Sequence, residues 1–161
     1  MTVRQPTAAA GTIVFRTDAA LQIGAGHVMR CLTLADALQA VGWQCHFICR
    51  AHPGHLGALI EQRGHALHLV PLTEAPAVAA AASGPAHAHW LGTDAATDAA
   101  QAAVILQRLH PDWLVVDHYA LDAAWERQLR PMTGRILVID DLADRPHDAD
   151  LLLDQNLGST E

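Results

Sequence analysis

The run Thr12-Ile13-Val14-Phe15-Arg16, followed after a short link by Gln22-Ile23-Gly24-Ala25-Gly26-His27-Val28-Met29-Arg30, decides the fold. The first segment is continuously apolar and reads as a buried strand. Val28, Cys31, Leu32, Ala35, Leu38 and Val41 then recur at helical spacing, which predicts a helix over 28–41. A strand, a glycine turn and a helix in this order point free backbone N–H groups and a positive dipole end at an anion. His27 stands where the helix begins. The dipole disfavours imidazolium there, so a neutral ring able to accept a proton is expected, a base beside an anionic substrate. The alternative is that Gly24 and Gly26 only let the chain turn tightly, with His27 a partly exposed first-turn residue. Two nucleotide motifs are excluded. Met29 occupies the place of the third glycine of a dinucleotide fingerprint, and a P-loop fails because the chain contains no lysine.

Working outward, Gln44–Arg50 reads as a second strand and Gly54–Arg63 as a short helix stopped by Gly64. Ala66–Val70 is a third strand closed by Pro71, and the alanine-rich stretch Glu74–His89 reads as a loop. Asp94 caps a helix to about Leu109, stopped by Pro111, and Trp113–Asp117 is a fourth strand. Asp122 caps a helix to Arg130, ended by Pro131 and Gly134; Arg135–Asp140 and Asp150–Asp154 are the last two strands. Apolar strands alternating with helices predict an α/β fold, a Rossmann-like doubly wound parallel sheet covered on both faces. Ligands in such sheets bind beyond the carboxyl ends of the strands. Arg16 and Asp18, then Asp117-His118-Tyr119, then Asp140-Asp141 all follow strand ends, and are expected to line one cleft with His27. Each has a plainer reading. The aspartates also suit turn capping, Tyr119 suits packing at the sheet edge, and Arg30, three residues after His27 on the same helical face, binds an anion or pairs with an Asp.

Composition bounds the rest. At 161 residues and 51% hydrophobic, the chain fits one domain with a proper core, 11–161, behind a loose tail at 1–10. A charge of −7 gives no basic footprint for nucleic acid, and no apolar run is long enough for a membrane span. Cys31, Cys45 and Cys49 sit in apolar settings and are expected to stay reduced in a cytoplasm. Eleven histidines invite a metal reading, with His52/His55 and His87/His89 at the nearest to ligand spacing. Neither pair has the rest of a tetrahedral set, so surface histidines and no metal or other cofactor are expected. The four tryptophans read as core or rim anchors.

Phe15-Arg-Thr-Asp18, the Gly24-Ala-Gly-His27 turn, Val115-Val-Asp-His-Tyr119, Ile139-Asp-Asp141 and Asp150-Leu-Leu-Leu-Asp-Gln-Asn156 come in an order and at spacings that resemble one family. It is the UDP-sugar hydrolase family of bacterial pseudaminic acid biosynthesis, and the resemblance runs from about residue 12 to 158. The glycine turn by itself also resembles MurG-like glycosyltransferases; the Asp-His-Tyr and Leu-Leu-Leu-Asp-Gln-Asn segments narrow it. The resemblance implies the N-terminal domain of a GT-B-type two-domain enzyme. It implies hydrolysis of UDP-2,4-diacetamido-2,4,6-trideoxy-β-L-altropyranose at the anomeric carbon with inversion, without a metal. On it His27 activates water, Tyr119 lies in the sugar site, and Arg16, Asp18, Gly24, Gly26, Arg30 and Asp117 bind substrate; Asp18 or Asp117 orients the imidazole. Members are about twice as long, so a nucleotide-binding C-terminal half is the expected partner besides the UDP-sugar. Without it the chain is expected to hold the base and part of the sugar pocket yet bind UDP-sugar poorly. Two other functions remain open: the acceptor-binding half of a GT-B glycosyltransferase, or a non-catalytic sugar- or partner-binding module.

Overall fold

The computed structural model describes residues 10–73 and 85–156. The expected tail, all but its last residue, and most of the Glu74–His89 loop lie outside them. The chain runs β1 (Gly11–Thr17), α1 (Gly26–Ala40), β2 (Trp43–Arg50), α2 (Gly57–Gln62), β3 (Ala66–Val70), α3 (Ala95–Leu109), β4 (Trp113–Asp117), α4 (Ala123–Leu129), β5 (Arg135–Ile139) and β6 (Leu151–Leu153). Short 3-10 turns occupy Ala88–Leu91 and Arg130–Met132. All six strands are parallel, in the order β3-β2-β1-β4-β5-β6. The order reverses between β1 and β4, whose ends Thr17 and Asp117 are in register. That reversal is the topological switch point, where a doubly wound sheet opens a crevice.

Alternation along each strand sends side chains to two cores. Val14, Ile48, Val70, Leu114, Val116 and Val138 pack under α3 and α4. Ile13, Phe15, Cys45, Phe47 and Val115 pack under α1 and α2, with Phe15 and Phe47 stacked at 4.8 Å. Each large apolar side chain buried in this way stabilises the fold by about 1.5–3 kcal/mol. The helix starts follow the capping chemistry. Asp94 accepts from Thr97 N–H at 2.8 Å, and Asp122 accepts from Ala124 N–H at 3.0 Å. Two boundaries move. α1 begins at Gly26 rather than Val28, because Met29 N–H already reaches Ala25 C=O at 3.0 Å. α2 begins at Gly57 rather than Gly54, because Gly54 sits at φ +85° in a turn and His55 Nδ1 accepts from Gly57 N–H at 3.1 Å.

Arg16 alternates with Val14 and therefore emerges on the α3 face, inside the protein. Its guanidinium is fully buried and forks onto two carboxylates, Asp18 (2.7 and 3.1 Å) and Asp98 of α3 (2.6 and 3.2 Å). Asp98 also accepts from Arg50 Nη2 at 2.6 Å and Trp125 Nε1 at 3.0 Å, binding β1, β2, α3 and α4 to one point. Burial would push this carboxyl up, but the two arginines hold it below the usual carboxylate range. Beyond β5 the chain returns through a loop fixed by Arg145 to Asp140 (3.1 Å) and by His147 between Glu126 (2.9 Å) and Asp140 (3.1 Å). With a loop in place of a crossover helix, β6 keeps its three leucines exposed. No helix among the described residues is long and apolar enough to cross a membrane.

Candidate active site

The crevice is built first from the start of α1. Gly24 adopts φ +82°, a conformation costing an L-residue about 1–2 kcal/mol, and its N–H closes the turn on Ala20 C=O at 2.8 Å. The N-cap residue Ala25 offers no side-chain acceptor, so no side chain caps the helix. Gly26 has no positive φ, and a Cβ added there would meet nothing within 4 Å. The fold does not require glycine at this position. What glycine provides is a bare helix start open to the crevice.

His27 follows at once, with its side chain 10% exposed. Its Nδ1 lies 2.7 Å from Asp117 Oδ1, across the switch point from β4. Asp117 is itself clamped: Arg30 donates through Nε to Oδ2 and through Nη2 to Oδ1, both at 2.5 Å, and the Cys31 thiol lies 3.6 Å from Oδ2. Burial alone would raise the Asp117 carboxyl, but the Arg30 and His27 bonds outweigh it and keep the group below the usual carboxylate range. A carboxylate only accepts, so Nδ1 carries the hydrogen of this bond and Nε2 is left as the acceptor. Nε2 bonds to no group among the described residues. Burial and the Asp117 charge push the Cys31 thiol up, which keeps it protonated.

Tyr119 stands at the other side of the imidazole. The rings meet edge to face at 4.5 Å, and the Tyr119 hydroxyl donates to Asp141 Oδ1 at 2.5 Å. Burial, with help from that carboxylate, pushes the phenol up to about 12. Asp141 thus holds a hydroxyl rather than capping a turn; the turn is capped by Asp140, which accepts from Leu142 N–H at 3.2 Å. Trp90 stacks on Tyr119 at 5.9 Å and 27°, and His87 lies 4.6 Å from Trp90 and 5.4 Å from Tyr119. Arg145 covers the Tyr119 ring at 5.8 Å. Sequence reasoning placed Trp90 among general anchors and His87 on a surface loop; the register of that loop against β4 carries no periodic signal.

Of the predicted site residues, His27, Arg30, Asp117, Tyr119 and the two glycines converge. Arg16 and Asp18 do not. Both were expected at the cleft edge, and both are buried with their polar atoms consumed inside the sheet. Asp18 takes Arg50 N–H at 2.7 Å and His118 Nε2 at 2.8 Å besides Arg16. His118 accepts from Ala120 N–H on Nδ1 at 3.1 Å, and burial lowers its pKa, so it is neutral. Of the two aspartates expected to orient His27, only Asp117 reaches it. The missed members of the buried cluster, Asp98 and Arg50, had one visible signal: Asp98 lies on the apolar stripe of α3 with Ala99, Ala102, Ile105 and Leu106. An acid on such a stripe must meet a buried cation. Among the described residues no cluster of three or more His, Cys, Asp or Glu side chains has metal-binding geometry.

No protein-family model matches the chain, and no curated protein matches it. Its fold is similar to the crystal structure of MurG from Acinetobacter baumannii, with a TM-score of 0.57 and 14% identity. The match covers 83% of this chain and 36% of that one, so the chain spans about a third of the length of MurG. At this identity the likeness is one of fold: a Rossmann-like α/β sheet.

Proposed function

We propose that this chain supplies the catalytic base and sugar-side wall of an enzyme acting on a UDP-sugar, with water as the nucleophile. The observation that carries the reading is the Arg30–Asp117–His27 chain, which leaves Nε2 of His27 open beside the bare start of α1. The water oxygen bonds to the anomeric carbon and its proton goes to His27 Nε2. The bond from that carbon to the diphosphate oxygen breaks, and its electron pair leaves with UDP. Asp117 holds the tautomer and offsets the positive charge on the imidazolium, and Arg30 holds Asp117. UDP is a good leaving group, so a general acid is not required. The helix start adds oriented N–H groups for the developing charge. Attack opposite the leaving group inverts the centre. On the resemblance of its motifs, the substrate is UDP-2,4-diacetamido-2,4,6-trideoxy-β-L-altropyranose, used in pseudaminic acid biosynthesis. The second half that would bind the uridine is part of this proposal.

One observation favours a second reading. The fold likeness to MurG, a glycosyltransferase with the GT-B architecture, suits a site in which His27 deprotonates an acceptor hydroxyl instead of water. Turnover in 18O-labelled water separates the two. Hydrolysis at the anomeric carbon puts the label on the sugar and leaves UDP unlabelled. A new glycoside with no free sugar would replace water by an acceptor, and label on the phosphate would remove the mechanism altogether.

A further inference from the structure

We infer that Asp141 is a positioning residue for His27. It closes a ring of contacts, His27–Asp117–Arg30–Asp141–Tyr119, which holds the imidazole from two sides and contains one more carboxylate than guanidinium. The inference rests on the reading of His27 as the base and deepens it.

Asp117 takes Nε and Nη2 of Arg30, which leaves Nη1 for other partners. Two groups close over it, Asp141 Oδ2 at 3.6 Å and Gln155 Oε1 at 3.4 Å. The other oxygen of Asp141 accepts from the Tyr119 hydroxyl, and Tyr119 meets His27 edge to face. One carboxylate therefore joins the two groups that flank the imidazole: Arg30, behind Asp117 on the Nδ1 side, and Tyr119, against the ring. Asp141 is held in turn by the segment after β6. Asp140 N–H donates to Leu153 C=O at 3.0 Å, and Asn156 Nδ2 donates to Asp141 C=O at 3.3 Å. Asn156 N–H folds back on Asp154 Oδ1 at 2.8 Å. The Asp154-Gln155-Asn156 run thus has a task in the site: it fixes Asp141 and covers the outer side of Arg30.

The charges explain why a carboxylate stands there. Asp117 and Asp141 bring two negative charges against the one guanidinium of Arg30. Arg145, which covers Tyr119, is taken by Asp140 and Asp144. The ring therefore lacks one positive charge while His27 is neutral, and is balanced once His27 takes the proton of the nucleophile. With Asp117 and Arg30 alone, the pair would be balanced beforehand, and the imidazolium would form without a counter-charge. A fixed charge that matches the one appearing in the transition state lowers the barrier without reorganisation. Were Asp141 only a holder for the Tyr119 hydroxyl, an asparagine would serve as well, because its amide oxygen also accepts.

The test compares wild type, Asp141→Asn and Asp141→Ala in two readouts. The first, without substrate, is the solvent exchange of the His27 Nδ1 proton, followed by NMR. The second is kcat and KM for UDP release from UDP-2,4-diacetamido-2,4,6-trideoxy-β-L-altropyranose. Both variants should speed the exchange and lower kcat by about tenfold, with KM changed less than about threefold. That is far short of the roughly 10⁴-fold lost with a carboxylate that touches the catalytic histidine itself. An Asp141→Asn protein equal to wild type in both readouts, beside an impaired Asp141→Ala, would overturn the charge argument and reduce Asp141 to a hydroxyl holder. A rise in KM with kcat held would make Asp141 a substrate contact and overturn the positioning role. Unchanged exchange and kcat in both variants would overturn the ring while leaving His27 as the base. Faster exchange in the variants of a wild type that releases no UDP would support the ring and overturn the proposed function. Should Asp141→Ala fold poorly, Asp141→Asn against wild type decides alone.

Discussion

Replacing Asp98 by Asn changes one atom and tests the buried charge cluster that holds the crevice in place. Asp98 receives four hydrogen bonds from Arg16, Arg50 and Trp125, in a setting where both arginines are fully buried. With Asp18 and Asp98 both ionised the two arginines are balanced. In Asp98→Asn one positive charge is left buried without its partner, which costs about 3–5 kcal/mol. The Asn oxygen keeps a donor or two, so about 3 kcal/mol is expected, a fall in Tm of about 6–12 °C for a chain of this size. Asp94→Ala, four residues earlier in the same helix, is the control. It removes an exposed N-cap worth about 1 kcal/mol, or about 2–4 °C. Both variants are to be melted at neutral pH by circular dichroism and checked by urea denaturation. If Asp98→Asn costs no more than Asp94→Ala, the cluster is not what joins α3 to β1 and β2, and the reasoning fails.

The glycine turn separates shape from chemistry: Gly24→Ala should destabilise by about 1–2 kcal/mol because of its positive φ. Gly26→Ala should melt at or above the wild-type temperature, as alanine favours helix by up to about 1 kcal/mol, yet slow UDP release by tenfold or more. A Gly26→Ala protein with full turnover would mean that substrate does not approach the helix start. His147 gives a pH dependence of stability. Burial lowers its pKa, but its bonds to Glu126 and Asp140 outweigh burial and raise it above 6.5. The folded state then keeps a proton that the unfolded chain has lost, so this stabilisation is full below 6.5 and disappears as pH rises through the folded value. Wild-type Tm should therefore fall more steeply than that of His147→Gln between about pH 6 and 9, and parallel curves would refute it. Asp18, Asp98 and Asp117 act in the opposite direction. All three are held below their ordinary 3.8, so their contribution is present above that pH and is lost as pH falls through the folded values. An acid unfolding transition unchanged by Asp98→Asn would contradict this.

Much of the scaffold was legible because local signals and tertiary demands agree. Ala66–Val70 and Trp113–Asp117 are strands over the predicted bounds, and Asp94 and Asp122 cap the helices they precede. His27 and the Asp-His-Tyr strand end were expected at one cleft because both follow carboxyl ends of strands; that β1 and β4 are neighbours is set by the strand order, which hydrophobic patterning does not specify. Arg16 was misread because its place in the chain, at the end of a strand, suggested the cleft, whereas side-chain alternation puts it on the α3 face. One of its two carboxylate partners, Asp98, lies 82 residues away, a distance over which sequence spacing carries no geometry. Trp90 and His87 escaped for a related reason: irregular chain has no period, and only the fit of Gly92 and Leu91 against the core sets where that turn points.

The central claim is that Asp117 holds His27 with Nδ1 protonated and Nε2 free to take a proton. The most direct measurement is the long-range 1H–15N correlation of the His27 ring at mildly alkaline pH, in the wild type and in Asp117→Asn. The account predicts the Nδ1–H tautomer with a bare Nε2 in the wild type, and loss of that single tautomer in the variant. A His27 that carries its hydrogen on Nε2, or a ring indifferent to Asp117→Asn, would contradict it.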